Sequence, residues 1–137
     1  MCHQDYSGEV EMNRPIKFRY RYEQTNKLTG EKIIVTRIYD MSQIEDGIAK
    51  VYFDCEKLIS RDEFTGLHDK NGKEIFEGDI LCTPDEENEY YYSKVIWGDE
   101  IAGWATSTNN FIEPLSELIE EQPEIIGDIF TTPELLD

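Results

Sequence analysis

The sequence predicts a mainly β protein of the α+β class, and three observations carry that expectation. Asn71-Gly72 lies between short apolar runs, the strongest local signal for a β-hairpin. Residues 14–22 alternate apolar and basic side chains with the two-residue period of a strand. One stretch, opening at Pro114, spaces its apolar residues as a short helix does.

Residues 1–11 are polar, carry three acids and no Lys or Arg, and are expected to be a disordered extension before a natural start at Met12. Ser7-Gly8-Glu9-Val10-Glu11 can be encoded by a purine-rich run resembling a ribosome-binding site; the intact mass of the natural product tests this. From Arg14 to Tyr22, Ile16, Phe18, Tyr20 and Tyr22 point one way and Lys17, Arg19 and Arg21 the other. This predicts a half-buried strand with a basic outer face: either solvated or paired with acids, the favoured reading, or a basic stripe with aromatics for nucleic acid. Asn26–Gly30 is a turn, Lys32–Tyr39 a strand, Asp46-Gly47 a second turn, and Lys50–Cys55 a short strand.

Two registers compete at the central hairpin. A two-residue turn would set Lys70 against Lys73 and Asp69 against Glu74, like charges in both pairs. A three-residue loop, Lys70-Asn71-Gly72 with Gly72 left-handed, sets Asp69 opposite Lys73, Leu67 opposite Ile75, and Phe76 opposite Gly66. Cross-strand pairs contribute about 0.2–1 kcal/mol each, so the second register is expected. Glu77-Gly78-Asp79 then breaks the strand and Ile80-Leu81-Cys82 begins the next.

Thr83–Glu89 is an acidic loop with Pro84 as a strand stop, lacking the ligand spacing of a calcium loop. Tyr90–Trp97 is an aromatic-rich strand, turned by Gly98-Asp99-Glu100 into Ile101–Thr106. Tyr90, Tyr91, Tyr92, Trp97 and Trp104 are the candidate interaction surface, either core plus subunit interface, the favoured reading, or a peptide-binding groove. Pro114 opens a helix to about residue 121, with Leu115, Leu118 and Ile119 on its apolar side. Ile125, Ile126, Ile129 and Phe130 form a closing strand around Gly127, which implies a bulge or a close backbone approach. Thr132-Pro133-Glu134 caps a final turn that tucks Leu135 and Leu136 back onto the body.

Charge is spread unevenly along the 137 residues, whose net charge is −17. Residues 12–75 are near balance, with 12 bases and 11 acids, whereas residues 76–137 hold one base, Lys94, and 16 acids. Direct nucleic-acid binding by the C-terminal half is therefore not expected, because phosphate contacts need Lys and Arg. The asymmetry instead lets the N-terminal basic face meet the acidic half of its own chain or of a neighbour.

Cys2, Cys55 and Cys82 are odd in number and form no C-x-x-C pair, which fits a reducing cytoplasm. The sequence holds no signal peptide pattern and no apolar run near membrane-spanning length, so no membrane partner is expected. His3 and His68 form no zinc-like spacing with the cysteines, and no Gly-rich loop precedes a helix, so no metal or cofactor is expected. His68 is read as a solvent-facing strand residue. Asp79 is read as an acceptor of backbone N–H bonds at a turn rather than a catalytic acid. No catalytic residue is assigned and the chain is not expected to be an enzyme.

The stretch Thr65–Ile80 meets every fixed position of a T-G-L-x-D-x-x-G-x-x-I-x-x-G-D-I block: Thr65, Gly66, Leu67, Asp69, Gly72, Ile75, Gly78, Asp79 and Ile80, with Asn71 completing the turn. This block resembles the hallmark of the YopX family, phage- and prophage-encoded proteins of unassigned function. Arg14–Tyr20, RPIKFRY, and Glu124–Leu136, EIIGDIFTTPELL, resemble the family's two ends; residues 28–60 depart from its pattern. The resemblance implies a β-rich fold with an SH3-like barrel in the C-terminal part, and self-association. It implies no activity, cofactor or catalytic residue.

The expected architecture is thus an N-terminal β-strand lobe over residues 12–62 and an SH3-like β-barrel with one short helix over 63–137. The expected role is that of a cytoplasmic phage- or prophage-type accessory protein acting through protein–protein contacts, assembled as a homo-oligomer, with a host or phage protein as a further partner. The alternative is an acidic DNA-mimic inhibitor of a host nucleic-acid-binding protein, which requires a regular surface array of carboxylates.

Overall fold

Each strand among the described residues pairs antiparallel with its sheet neighbours in this computed structural model, which describes residues 15–48, 55–87 and 89–136. The chain is mainly β. In order, the elements are β1 (Lys17–Thr25), β2 (Lys32–Asp40), α1 (Met41–Glu45), β3 (Glu56–His68), β4 (Glu74–Phe76), β5 (Asp79–Pro84), β6 (Tyr90–Gly98), β7 (Gly103–Thr108), β8 (Phe111–Pro114), α2 (Leu115–Leu118) and β9 (Glu124–Asp128). Short 3-10 turns follow at Ile119–Glu121 and Pro133–Leu136. One sheet has the order β2-β1-β3-β4; the other, β8-β7-β6-β5-β9, curls into a half-barrel.

Alternation in β1 separates aromatic from basic side chains as the sequence predicts. Tyr20 and Tyr22 are buried, with Tyr39 edge-on to Tyr20 at 5.2 Å and Ile44 of α1 packed beside them. The opposite face is not a basic outer surface, however. Arg21 is 3% exposed, and Arg19 is also largely covered, because the second sheet lies over them. The expected strand Lys50–Cys55 falls almost wholly outside the described residues; Cys55 itself sits in a turn. The expected boundary at residue 62 falls within β3, which runs through it unbroken.

The hairpin adopts the three-residue loop. Gly72 has φ +81°, Asp69 N donates to Lys73 O at 2.8 Å, and His68 pairs with Glu74. Phe76, however, faces Phe64 and not Gly66. A bulge intervenes: Gly66 takes φ +88°, Thr65 Oγ1 donates to Ile75 O, and Leu67 N donates back to that hydroxyl. Two extra residues on β3 are absorbed there, and the two phenyl rings meet at 5.5 Å.

Ile75 of this hairpin enters the main core with Leu81, Val95, Leu115 and Leu118, all essentially inaccessible to water. The helix expected over 114–121 is α-helical only from Leu115 to Leu118 and finishes as a 3-10 turn. Pro114 is its extended cap, not its first turn, because the same residue ends β8.

Candidate interaction surface

The signature block builds two polar hubs. Asp69 is the first: Oδ1 accepts from Asn71 N (2.8 Å) and Lys73 N (2.9 Å), closing the loop on itself. Oδ2 accepts from Ile125 N at 3.0 Å, and Lys70 N donates to Pro123 O, so the loop is pinned to the start of β9. Burial pushes the Asp69 carboxyl up, but these N–H groups more than offset it, and its pKa is lowered overall.

Asp79 is the second hub. It is 1% exposed and accepts from Phe76 N at 2.8 Å, the backbone role the sequence assigns it. Its other oxygen receives Arg19 Nη1 at 2.7 Å. Arg19 Nε and Arg21 Nε both donate to Asp62 Oδ2 at 3.1 Å, and Arg21 Nη2 reaches Asp128 Oδ2 at 3.1 Å. Asp79 and Asp128 are themselves paired across β5 and β9. Two guanidiniums and three carboxylates therefore form one seam between the sheets, with Arg19 stacked over Phe76 (4.8 Å) and Arg21 over Phe130 (5.6 Å). Burial raises the Asp79 pKa despite Arg19. Burial also acts upward on Asp128, but hydrogen bonds from Thr131 and the charge of Arg21 leave it lowered overall. The basic face of β1 thus meets the acidic half of its own chain.

Gly127, opposite Ile80 in this seam, shows both features its sequence position implies. A register shift marks a bulge beside it, and a Cβ there would lie 1.9 Å from Thr132 Oγ1.

The five candidate aromatics do not form one groove. Alternation along β6 puts Tyr91 and Trp97 on the core-facing side and Tyr90 and Tyr92 on the other. Trp97 meets Trp104 edge-on at 5.2 Å; Trp104 and Tyr91 pack on the core, while Trp97 lies at its rim, about half exposed. Tyr90 and Tyr92 project outward into a shallow depression of about 610 Å³ closed by Leu135 and Leu136. His68 is exposed, with its ring against Phe64 at 5.7 Å.

The acids of the C-terminal half are distributed along the fold. Asp85, Glu86, Glu87 and Glu89 lie at one end of β6, Asp99 and Glu100 at the other, Glu117 on α2, and Asp79 and Asp128 point inward. Large apolar side chains are exposed on two of the four edge strands: Ile33, Ile34 and Ile38 on β2, and Phe111 and Ile112 on β8. The sequence signal for this edge is the β-branched run Ile33-Ile34-Val35 flanked by charge, which a reading by hairpin and charge does not single out. No helix among the described residues is long and apolar enough to cross a membrane.

Fold and seam together define a mainly β protein of two antiparallel sheets locked by buried charge. A family model described as "YopX protein" matches residues 13–137, and the chain belongs to the YopX family. Among solved structures it is similar to protein EF1440 from Enterococcus faecalis, at 19% identity and a TM-score of 0.45, over 98% of this chain and 86% of that one. No curated protein matches it.

Proposed function

We propose that this is a phage- or prophage-type accessory protein of the cytoplasm that acts through protein–protein contact and assembles with copies of itself, without catalysing a reaction. The observation that carries this reading is the row of large apolar side chains left in water on the edge strands β2 and β8, where unpaired backbone groups are also available. The buried titratable groups at the seam and at Asp69 are spent on holding the fold, as their hydrogen bonds indicate. In this reading β5–β9 is an SH3-like barrel: four strands in a meander, a helical turn, and a fifth strand returning beside the first. The N-terminal strands form the lobe that presents β2. Asp79 and Asp128 are spent on the buried seam, which gives the DNA-mimic alternative less support.

Light scattering at moderate salt tests the reading. A mass of at least two chains in the micromolar range is expected; a single-chain mass throughout that range removes self-association.

A further inference from the structure

We propose that the outer edge of β2 is the self-association surface and that it pairs antiparallel with β2 of a second copy, Thr36 facing its own counterpart across a two-fold axis. The inference rests on the self-association reading above and names its interface.

The direction of the backbone groups decides whether such pairing is possible. Asn26 N donates to Glu31 O, and Met41 N donates to Ile16 O. In the β1–β2 register these place the mutual hydrogen bonds at Gln24–Ile33, Tyr22–Val35, Tyr20–Arg37 and Phe18–Tyr39. The odd-numbered residues of β2 therefore turn their N–H and C=O toward β1. Ile34, Thr36 and Ile38 turn theirs outward, and among the described residues no strand pairs with that edge. Asp40 fits the same parity: its N–H aims outward and is taken by Gln43 Oε1 of the α1 capping box.

A two-fold axis at Thr36 makes this edge self-complementary. Ile34 then lies opposite Ile38 of the second copy, and Lys32 opposite Asp40, an opposite-charge pair at each end of the joint. The outward-facing residues match outward-facing residues, so the ladder closes over Ile34, Thr36 and Ile38, while Asp40 N stays with Gln43. Ile34 and Ile38, 38% and 47% exposed in the single chain, become covered. A shift by one residue would set outward groups against inward ones and separate Lys32 from Asp40. The strand is nine residues long and has no proline, its central outward residue is a threonine, and its edge charges Lys32 and Asp40 stand opposite one another in this register. The same patch of both copies meets, so the contact closes on itself as a dimer interface.

The test uses the full chain and reads mass and proximity separately. Thr36→Pro removes the central outward N–H, which bonds to nothing within β1–β2, and Ile34→Lys places a charge against the opposing Ile38. Both are expected to reduce the sedimentation mass to one chain while tryptophan fluorescence stays native. Thr36→Cys is expected to be joined to its counterpart by a short bis-maleimide. Ile33→Cys, whose two copies would stand about 20 Å apart in this register, is expected to cross-link no more than wild type. If wild type associates, yet both edge variants keep its mass and Thr36→Cys does not cross-link, this interface is wrong and the self-association reading stands. If wild type is itself a single chain, both fall.

Discussion

Asp69→Ala should be among the most damaging single changes in the hairpin loop, where the carboxylate is buried. The carboxylate holds three backbone N–H groups, those of Asn71, Lys73 and Ile125, at 2.8–3.0 Å. Hydrogen bonds to a charged group contribute about 1.5–3 kcal/mol each. Asn71 and Lys73 are exposed, so water can replace the acceptor for them, whereas Ile125 N is half-buried against the loop. Discounting the first two, the loss comes to about 3–4 kcal/mol, a large share of the 5–15 kcal/mol typical of a domain. Asp69→Asn keeps one oxygen for the loop and turns an NH2 toward Ile125, so about 1–2 kcal/mol is expected. Urea unfolding followed by the fluorescence of Trp97 and Trp104 measures both. The carboxyl's folded pKa lies below the unfolded value, so its contribution is present above about pH 4 and is lost as pH falls through the folded pKa. The stability gap between wild type and Asp69→Asn should therefore narrow as pH is lowered from 6 to 3. A loss under about 1 kcal/mol for Asp69→Ala, or a gap that widens in acid, would refute this account of the loop.

Other changes have equally definite outcomes. Gly127→Ala drives a methyl into Thr132 Oγ1 and should lower the melting temperature by several degrees, because the bulge backbone must shift. Thr132→Ala should cost less in that background than in wild type, since it relieves the closest contact; thermal melts of the four proteins decide. The Cys82 thiol is pushed up by burial and then by Glu124, so it should react with a thiol reagent at pH 8 more slowly than a free cysteine. Equal rates would show that Cys82 is not held as described.

The parts of this fold that were legible in the sequence are those set by local chemistry. Gly72 with Asn71 defined the loop, like-charge repulsion chose its register, and alternation around Tyr20 separated the two faces of β1. Two local signals went unread. Asp40 and Gln43 make the capping box of α1. Asn109 and Asn110 both take positive φ (48° and 70°), forming the tight turn that makes β8 a strand. What no local pattern could supply was the partner of each face. Arg19 and Arg21 read as a basic stripe because Asp62, Asp79 and Asp128 lie 41 to 107 positions away, and only sheet packing brings them together. The aromatic cluster divides for a related reason: Tyr91 packs on the core while Tyr90 and Tyr92 face outward, because neighbouring residues on a strand point to opposite sides.

A double-mutant cycle at Arg19 and Asp79 most directly probes whether the two sheets are bound by buried charge within one chain. Arg19→Met strands the covered Asp79 carboxylate and should cost about 3–5 kcal/mol in urea unfolding. Asp79→Leu should cost about 2–4 kcal/mol, because Arg19 keeps only Asp62 among its carboxylates and Phe76 N loses its acceptor. Made together they should cost at least about 2 kcal/mol less than the sum, since neither charge is then left without its counterpart. Strictly additive losses would mean that the guanidinium and the carboxylate do not meet, and that the basic strand and the acidic half are not joined in this way.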